Sequence, residues 1–538
     1  MSIFERKLVR KVSLDDSYSL KASIINSETT QGHTEYVIKV KRNVLPENSW
    51  FVRRRYNDFL SLHHSLQPSG INLPLPPKKI IGNMNRNFIA ERQIALQNYL
   101  DILLNHSLLS SQLVVKKFLD PHNYHAFREL GLPALTIGLR GEVDIKIVKQ
   151  LPQTGTRLRK EYYLVKMKSD PKQELILSWL PFGPDNPHDP QQIVSLLKVL
   201  TTLQHVNVVT LVKAGVCNDG AWVVREIRKT GSLLDTICGI TKSPWNEQAL
   251  KKYANYELRK PVPPEKIIDI VSQILQALAF FHHKGIPYGH LHNGNIVYEE
   301  GLVKLLDIEN GMVGVSYLYR PLLTRVKQIT SMQSLDVYCL GLAMFEMATG
   351  IPFTSQKEDF TDVPEQLRPI IVSILSAKSG RSGLPTVADL LNIDLFRQAA
   401  ATPQPHVRLT TSAKKDFGTC AAKTIERIKE DYSRYRQEKR VLKLYEYLDE
   451  SEGQILLCYK KKSKHAGGED DINGNIPLER SASPSSTNSN INTTLSALSG
   501  QVSVNLPTDS TSDRQALLGA ICTFNKDSLR KTNRPHCV

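Results

Sequence analysis

The chain has no paired cysteines. Its seven (Cys217, Cys238, Cys339, Cys420, Cys458, Cys522 and Cys537) are scattered singly, which argues against a C-x-x-C metal site and against a secreted disulfide framework. The opening "MSIFERKLVRKVSLDD" has no apolar segment of the secretory kind. No stretch approaches the roughly eighteen continuous apolar residues of a membrane span. Together these absences predict a cytoplasmic protein that reaches membranes only from outside. Acidic residues are outnumbered, 53 against 69 Lys and Arg, giving a net charge of +16. That balance favours phosphoinositide headgroups, nucleic acid or acidic protein surfaces as partners, without choosing among them. Hydrophobic residues make up 41% of the 538, enough for real cores, and the length predicts about two to four domains.

The pattern along the chain is α+β and multidomain. Residues 15–125 begin with short strand-like runs, "YSLKASIIN", "TEYVIKVKR" and "SWFVRRRY". A proline-rich turn, "LPLPPKK", and a helical run, "FIAERQIALQNYLDILLNH", follow. Over 135–400 the pattern resets: strand-like "VDIKIVKQ", "EYYLVKM" and "QELILSWL", helical "QQIVSLLKVLTTLQH", strand-like "AWVVREI", then mostly helices. Residues 401–460 form a charged extension in which 412–447 reads as one helix or two. Residues 461–512, rich in Ser, Asn, Thr and Gly, read as a disordered linker. A short amphipathic pattern returns over 513–533.

The order "RRRYNDF", "LPLPPKK", "AERQIALQNYL" resembles the phox-homology (PX) domain of sorting nexins, a small fold of a three-stranded sheet plus helices. The resemblance implies binding of phosphatidylinositol 3-phosphate or a related phosphoinositide. By position in the motifs, Arg55 would grip the 3-phosphate, since a guanidinium fork pairs two oxygens at once. Tyr56 would lie against the inositol ring, Lys79 would meet the 1-phosphate and Arg92 the ring hydroxyls. Ile80, Ile81 and Met84 could enter the bilayer interface beside them.

Four further segments resemble the bilobal protein-kinase fold: "AWVVREIRKTGSLLDTI", "QILQALAFFHHKGI", "LDVYCLGLAMFEMATGIPF" and "LPTVADLLNIDLF". The chemistry of phosphoryl transfer is missing from that outline. Where the family reads H-R-D-L-K-P-x-N, this chain has Tyr288, Gly289, His290 at the aspartate position and His292 at the lysine, keeping only Asn295. The D-F-G triplet is Asp307-Ile308-Glu309. Ser178 and Trp179 stand where the strand lysine is expected, with Lys166 or Lys168 as substitutes if the register differs. The helix glutamate falls near Leu196, and Gly155 is alone in the glycine turn. The A-P-E end of the activation segment is absent, and its partner arginine is replaced by Leu384, with Arg381 near. The resemblance therefore implies a pseudokinase with no catalytic residue, His290 and His292 being degenerate positions. The retained Asn295 and Asp307 leave weak Mg²⁺–ATP binding open, and no other cofactor is expected. His290 and His292, with His282 and His283, lack a nearby Cys or acidic ligand to complete a zinc site, so no metal is expected.

The tail "RQALLGAICTFNKDSLRKT" resembles the WASP-homology actin-binding motif. Arg514, Leu517, Leu518 and Ile521 fall at helical spacing on one face, suited to an apolar groove, and Leu529, Arg530 and Lys531 match the extended basic part. The order of the three modules resembles a family that joins a PX domain to a kinase-like domain and an actin-binding tail. It implies a phosphoinositide-recruited pseudokinase scaffold, peripheral on endosomal and plasma membranes. Such a scaffold would act in endosomal trafficking or in regulating membrane proteins (receptors, pumps or transporters), with actin and membrane-protein cargo as partners. The alternative is an atypical Ser/Thr kinase recruited to endosomes by its PX domain. Nucleic acid is not expected, because the basic residues are already placed in a lipid reader and a charged helix.

Overall fold

The computed structural model describes residues 18–30, 32–42, 48–78, 85–124, 135–136, 138–151, 160–182, 188–217, 220–240, 249–255, 257–354, 359–376, 383–397 and 409–465, the last stretch without side chains from 445 onward.

The first module is an antiparallel meander of β1 (Lys21–Thr30), β2 (His33–Lys41) and β3 (Ser49–Arg55), in spatial order β1-β2-β3. Alternation along β2 sends Tyr36, Ile38 and Val40 inward. Helices α1 (Tyr56–Leu66), α2 (Arg86–Asn105) and α3 (Leu113–Leu119) close over that face. Phe59 of α1 sits at the centre, with Tyr36, Tyr99 and Phe118 in edge-on contact. The start of α1 is fixed by the Asp58 carboxylate, which accepts the Arg55 backbone N–H at 2.7 Å.

The second module opens with a five-stranded antiparallel sheet, order β4-β5-β6-β8-β7. Its strands are β4 (Ile145–Gln150), β5 (Glu161–Met167), β6 (Glu174–Pro181), β7 (Leu211–Cys217) and β8 (Gly220–Glu226). Between β6 and β7 runs α4 (Pro190–Thr201), begun by an Asp189–Gln192 capping box and burying Ile193, Leu196, Leu197 and Leu200. β7 was not among the expected strands: in "VVTLVKAGVC" only Leu211 of the strand is fully buried, so the alternation that would betray it is weak.

The helical part follows: α5 (Leu233–Ile237), α6 (Ala249–Ala254), α7 (Pro264–Lys284), the hairpin β9 (Ile296–Glu299) and β10 (Leu302–Leu305), then α8 (Met332–Thr349), α9 (Arg368–Leu375) and α10 (Val387–Leu391). Every residue of α8 from Leu335 to Ala348 is buried, the all-round pattern of a central core helix. Its two buried acids are satisfied. Asp336 lies 2.8 Å from His282 Nε2 and accepts the Gly289 N–H at 2.7 Å, and Glu346 accepts Arg259 Nη1 at 2.7 Å and Asn293 Nδ2 at 2.8 Å. The two modules meet at α6, where Leu250 packs on the first core and the Ala254 carbonyl lies 3.0 Å from His106 Nε2.

The charged extension is one helix, α11 (Thr411–His465), which runs past residue 460 into the stretch expected to be linker. Its first half is part of the kinase-like core. Phe417, Cys420, Ile425 and Ile428 are buried in it at helical spacing, and Asp431 accepts Arg320 Nε at 2.8 Å, both side chains almost fully buried. Among the described residues no helix is long and apolar enough to cross a membrane.

Candidate functional site

In the first module the "RRR" run ends β3, and its three arginines have different partners. Arg53 engages Glu28 through both Nε and Nη2 at 3.3–3.4 Å. Arg54 donates to the Phe118 carbonyl through Nε at 2.9 Å and Nη2 at 2.5 Å, holding α3 against the sheet. Among the described residues Arg55 donates through Nε alone, to Glu35 Oε1 at 3.1 Å, and it stays half-exposed.

Tyr56, the next residue, donates its hydroxyl to the Pro76 carbonyl at 2.5 Å. The Arg92 guanidinium of α2 lies 4.4 Å from the Tyr56 ring centre and 4.2 Å from that of Phe88, and donates to the Pro77 carbonyl at 3.1 Å. Burial raises the Tyr56 phenol above its ordinary range against the opposing pull of Arg92. Tyr56 and Arg92 thus converge on the end of the proline turn, and Arg55 precedes Tyr56 at the end of β3. Lys79, Ile80, Ile81 and Met84 lie outside the described residues.

In the second module the two parts face each other across a cleft of about 110 Å³, lined by Tyr162, Ser178, Arg225, Asn295, Leu306 and Asp307 among others. Asp307 follows β10 in a left-handed conformation, φ +64°, which aspartate tolerates better than most residues. Its Oδ1 lies 2.6 Å from Lys160 Nζ and accepts Arg225 Nη1 at 2.7 Å. Glu309 Oε1 accepts Arg225 Nη2 at 2.5 Å and Lys160 Nζ at 3.1 Å. Asn310 completes the group, accepting Lys160 Nζ at 3.1 Å and donating to Asp307 Oδ2 at 3.3 Å.

Two cations and two carboxylates therefore neutralise one another out of water. Burial alone would raise the Glu309 carboxyl, but the Arg225 and Lys160 charges outweigh it and hold it low. The same two carboxylates outweigh burial at Arg225 and keep it charged. At Lys160 burial prevails and lowers its pKa.

The lysine that reaches Asp307 is neither Lys166 nor Lys168. Lys166 is half-exposed, 3.9 Å from Glu174, and Lys168 is exposed. Lys160 enters instead from the residue before β5, the strand next to the one where the family keeps its lysine. Ser178 of β6 is buried, and its hydroxyl has no partner among the described residues. Leu196, at the expected place of the helix glutamate, is packed in the core, and Glu309 provides the acid instead. Arg225 could have been found: it is the one charged residue inside the otherwise apolar "GAWVVRE" before its last position, where alternation gives no reason for an arginine. Lys160 carried no such signal.

The loop "YGHLHNGN" is buried at every position but Gly294. The His290 ring stacks on Tyr317, centres 4.4 Å apart and 19° from parallel, and His292 meets Tyr319 edge-on at 6.3 Å. Asn295 donates Nδ2 to the His290 carbonyl at 2.9 Å. Gly289 has φ +69°, and a Cβ there would fall 2.7 Å from the Tyr317 ring, so the family's arginine has no room. Tyr317 in turn bonds Thr424 of α11 at 3.0 Å. Among the described residues no group of three His, Cys, Asp or Glu side chains is arranged to hold a metal ion. The tail residues Arg514, Leu517, Leu518, Ile521, Leu529, Arg530 and Lys531 lie outside the described residues.

Comparison with known proteins agrees with the two modules. Residues 42–122 match the PX domain family and residues 184–412 the protein kinase domain family. A Mus musculus protein named PX domain-containing protein kinase-like protein is 37% identical over 446 residues, 82% of this chain and 76% of the relative. The Drosophila melanogaster Slowpoke-binding protein is 28% identical, over 47% of this chain and 52% of its own. A Dictyostelium discoideum protein named probable inactive serine/threonine-protein kinase slob1 is 25% identical, over 48% of each. A PX domain joined to a kinase-like fold, with that identity along most of both chains, means that this chain belongs to the family of PX domain-containing protein kinase-like proteins.

Proposed function

We propose that the chain is a membrane-recruited scaffold whose kinase-like domain holds protein partners and does not transfer phosphate. The observation that carries this reading is the buried Lys160–Asp307–Glu309–Arg225 network. Mg²⁺ needs oxygen ligands at about 2.0–2.1 Å in near-octahedral array. Asp307 Oδ1 already accepts two internal cations, and Oδ2 accepts the Asn310 amide. A cleft of about 110 Å³ is also well under the roughly 300–1,000 Å³ of ordinary ligand pockets. Asn295 and Asp307 thus stand as structural remnants that do not fit a Mg²⁺–nucleotide, and His290, stacked on Tyr317, is not placed as a base. Relatives named kinase-like and probable inactive kinase support the same reading.

Recruitment falls to Arg55, Tyr56, Arg92 and Lys79, gripping phosphatidylinositol 3-phosphate or a close relative on endosomal membranes. The kinase-like surface takes integral-membrane cargo or other proteins, and a relative named for binding Slowpoke supports a partner-binding role. The tail captures actin through Leu517, Leu518 and Ile521, with Arg514, Leu529, Arg530 and Lys531 along the extended part. The second reading, an atypical Ser/Thr kinase, has one observation in its favour: Lys160 does reach Asp307.

Transfer of labelled γ-phosphate to substrate that disappears in Asp307→Asn would establish the kinase. No transfer above the Asp307→Asn background supports the scaffold. Loss of monomeric-actin capture in Leu517→Ala/Leu518→Ala tests the tail, and unchanged capture refutes that part.

A further inference from the structure

Of the three consecutive arginines, only Arg55 has an uncommitted fork. Arg53 occupies Nε and Nη2 on Glu28, and Arg54 occupies Nε and both terminal nitrogens on backbone carbonyls. Arg55 uses Nε only, on Glu35, and no described residue is recorded on Nη1 or Nη2. Phosphate is gripped best by two parallel N–H groups of one guanidinium. Glu35 stands directly opposite Arg55 in the β2–β3 ladder, so the carboxylate is delivered to Nε by strand register. The same Oε1 lies 3.3 Å from His33 Nε2. Hydrogen bonds from Arg55 and His33 hold the Glu35 carboxyl below its ordinary value.

We propose that Glu35 is a positioning residue for headgroup recognition. Holding Arg55 by its inner nitrogen, it turns the Nη1–Nη2 edge outward as a preformed fork for a lipid phosphate. The inference rests on the headgroup reading above. An acid beside an anion site would ordinarily be expected to weaken binding by repulsion. Here its bond leaves the phosphate-gripping edge open, and it removes the ordering cost of a long, half-exposed side chain.

The test is binding of the full chain to phosphatidylcholine vesicles with and without phosphatidylinositol 3-phosphate. Arg55→Gln should remove the phosphoinositide-dependent part. Glu35→Ala should lower affinity roughly 3- to 10-fold, the range expected when one flexible side chain must be ordered on binding, even though it deletes a negative charge. Glu28→Ala deletes a charge on the neighbouring strand without touching Arg55 and should bind as wild type or tighter. In an Arg55→Lys background, which keeps the charge but has no fork to orient, Glu35→Ala should cost nothing further.

Glu35→Ala binding as well as wild type while Arg55→Gln fails would overturn the positioning role and leave the headgroup reading intact. Equal loss from Glu35→Ala in the wild-type and Arg55→Lys backgrounds would also overturn it. Arg55→Gln binding like wild type would remove the headgroup reading, and this inference with it. Unfolding temperatures establish that each variant is folded, with Glu35→Gln as the isosteric substitute if Glu35→Ala is not.

Discussion

Glu309→Gln removes one negative charge from a group of two cations and two carboxylates that is neutral as it stands and almost entirely out of water. Arg225 and Lys160 are then left with Asp307 alone. Deleting one partner of a buried ion pair typically costs about 3–5 kcal/mol, because the surviving charge is neither solvated nor paired. Glutamine keeps an acceptor oxygen for Arg225, so the lower half of that range is expected. For a lobe of this size each kcal/mol lowers the unfolding temperature by about 2 °C, giving a fall of about 6–8 °C by calorimetry or dye-reported melting.

The pH dependence has a definite sign. Glu309 is held below its ordinary carboxylate value in the folded state. It therefore contributes stability that is present above the unfolded value near ~4.3 and is lost as pH falls through its lower folded value. Glu309→Gln should lose this part of the acid-limb dependence. Replacing Arg225 and Glu309 together by Leu leaves Lys160 and Asp307 as a neutral pair. That double variant should lose less than the sum of the two singles by about 1–3 kcal/mol. A Glu309→Gln protein melting within about 2 °C of wild type would refute the claim that the network is a closed, mutually dependent unit.

Asp431→Ala should uncouple α11 from Arg320, whose side chain is buried against it. A loss of about 3–5 kcal/mol is expected, with faster amide exchange over residues 310–326, and no change in exchange there would count against α11 as part of the kinase-like core. Gly289→Ala should destabilise by about 1–3 kcal/mol in chemical denaturation, through its positive φ and the contact with Tyr317. Burial pushes the thiols of Cys238 and Cys420 up to about 11 and about 12 respectively. At pH 8 mass-spectrometric mapping should find both unmodified by thiol reagents in the folded protein and modified after unfolding.

The fold was legible because its signals are spread over many residues. The alternation of "TEYVIKVKR" and the continuous apolar run of "LDVYCLGLAMFEMATG" each specify an element whatever its neighbours do. The degenerate loop was legible at single positions, since Gly289, His290 and Glu309 stand inside patterns whose register is set by flanking core residues. The Lys160–Asp307–Glu309–Arg225 network was not. Lys160 and Arg225 are 65 positions apart, meet only through sheet packing and loop placement, and conform to no motif. The charged helix was ambiguous for a related reason. Phe417, Cys420, Ile425 and Ile428 form a sparse apolar stripe, and spacing alone does not distinguish packing on its own chain from binding a partner. Glu35 was hidden because its meaning depends on the register of β2 against β3.

The central claim is that internal cations have replaced a Mg²⁺–nucleotide in the cleft. The most direct measurement is a thermal-unfolding titration of the full chain with ATP, with and without Mg²⁺ and with chelator, beside Asp307→Asn. The account predicts no shift of the wild-type transition at saturating ATP in any of these conditions, and a destabilised Asp307→Asn protein that is equally indifferent to nucleotide. A Mg²⁺-dependent stabilisation of wild type that disappears in Asp307→Asn would contradict it.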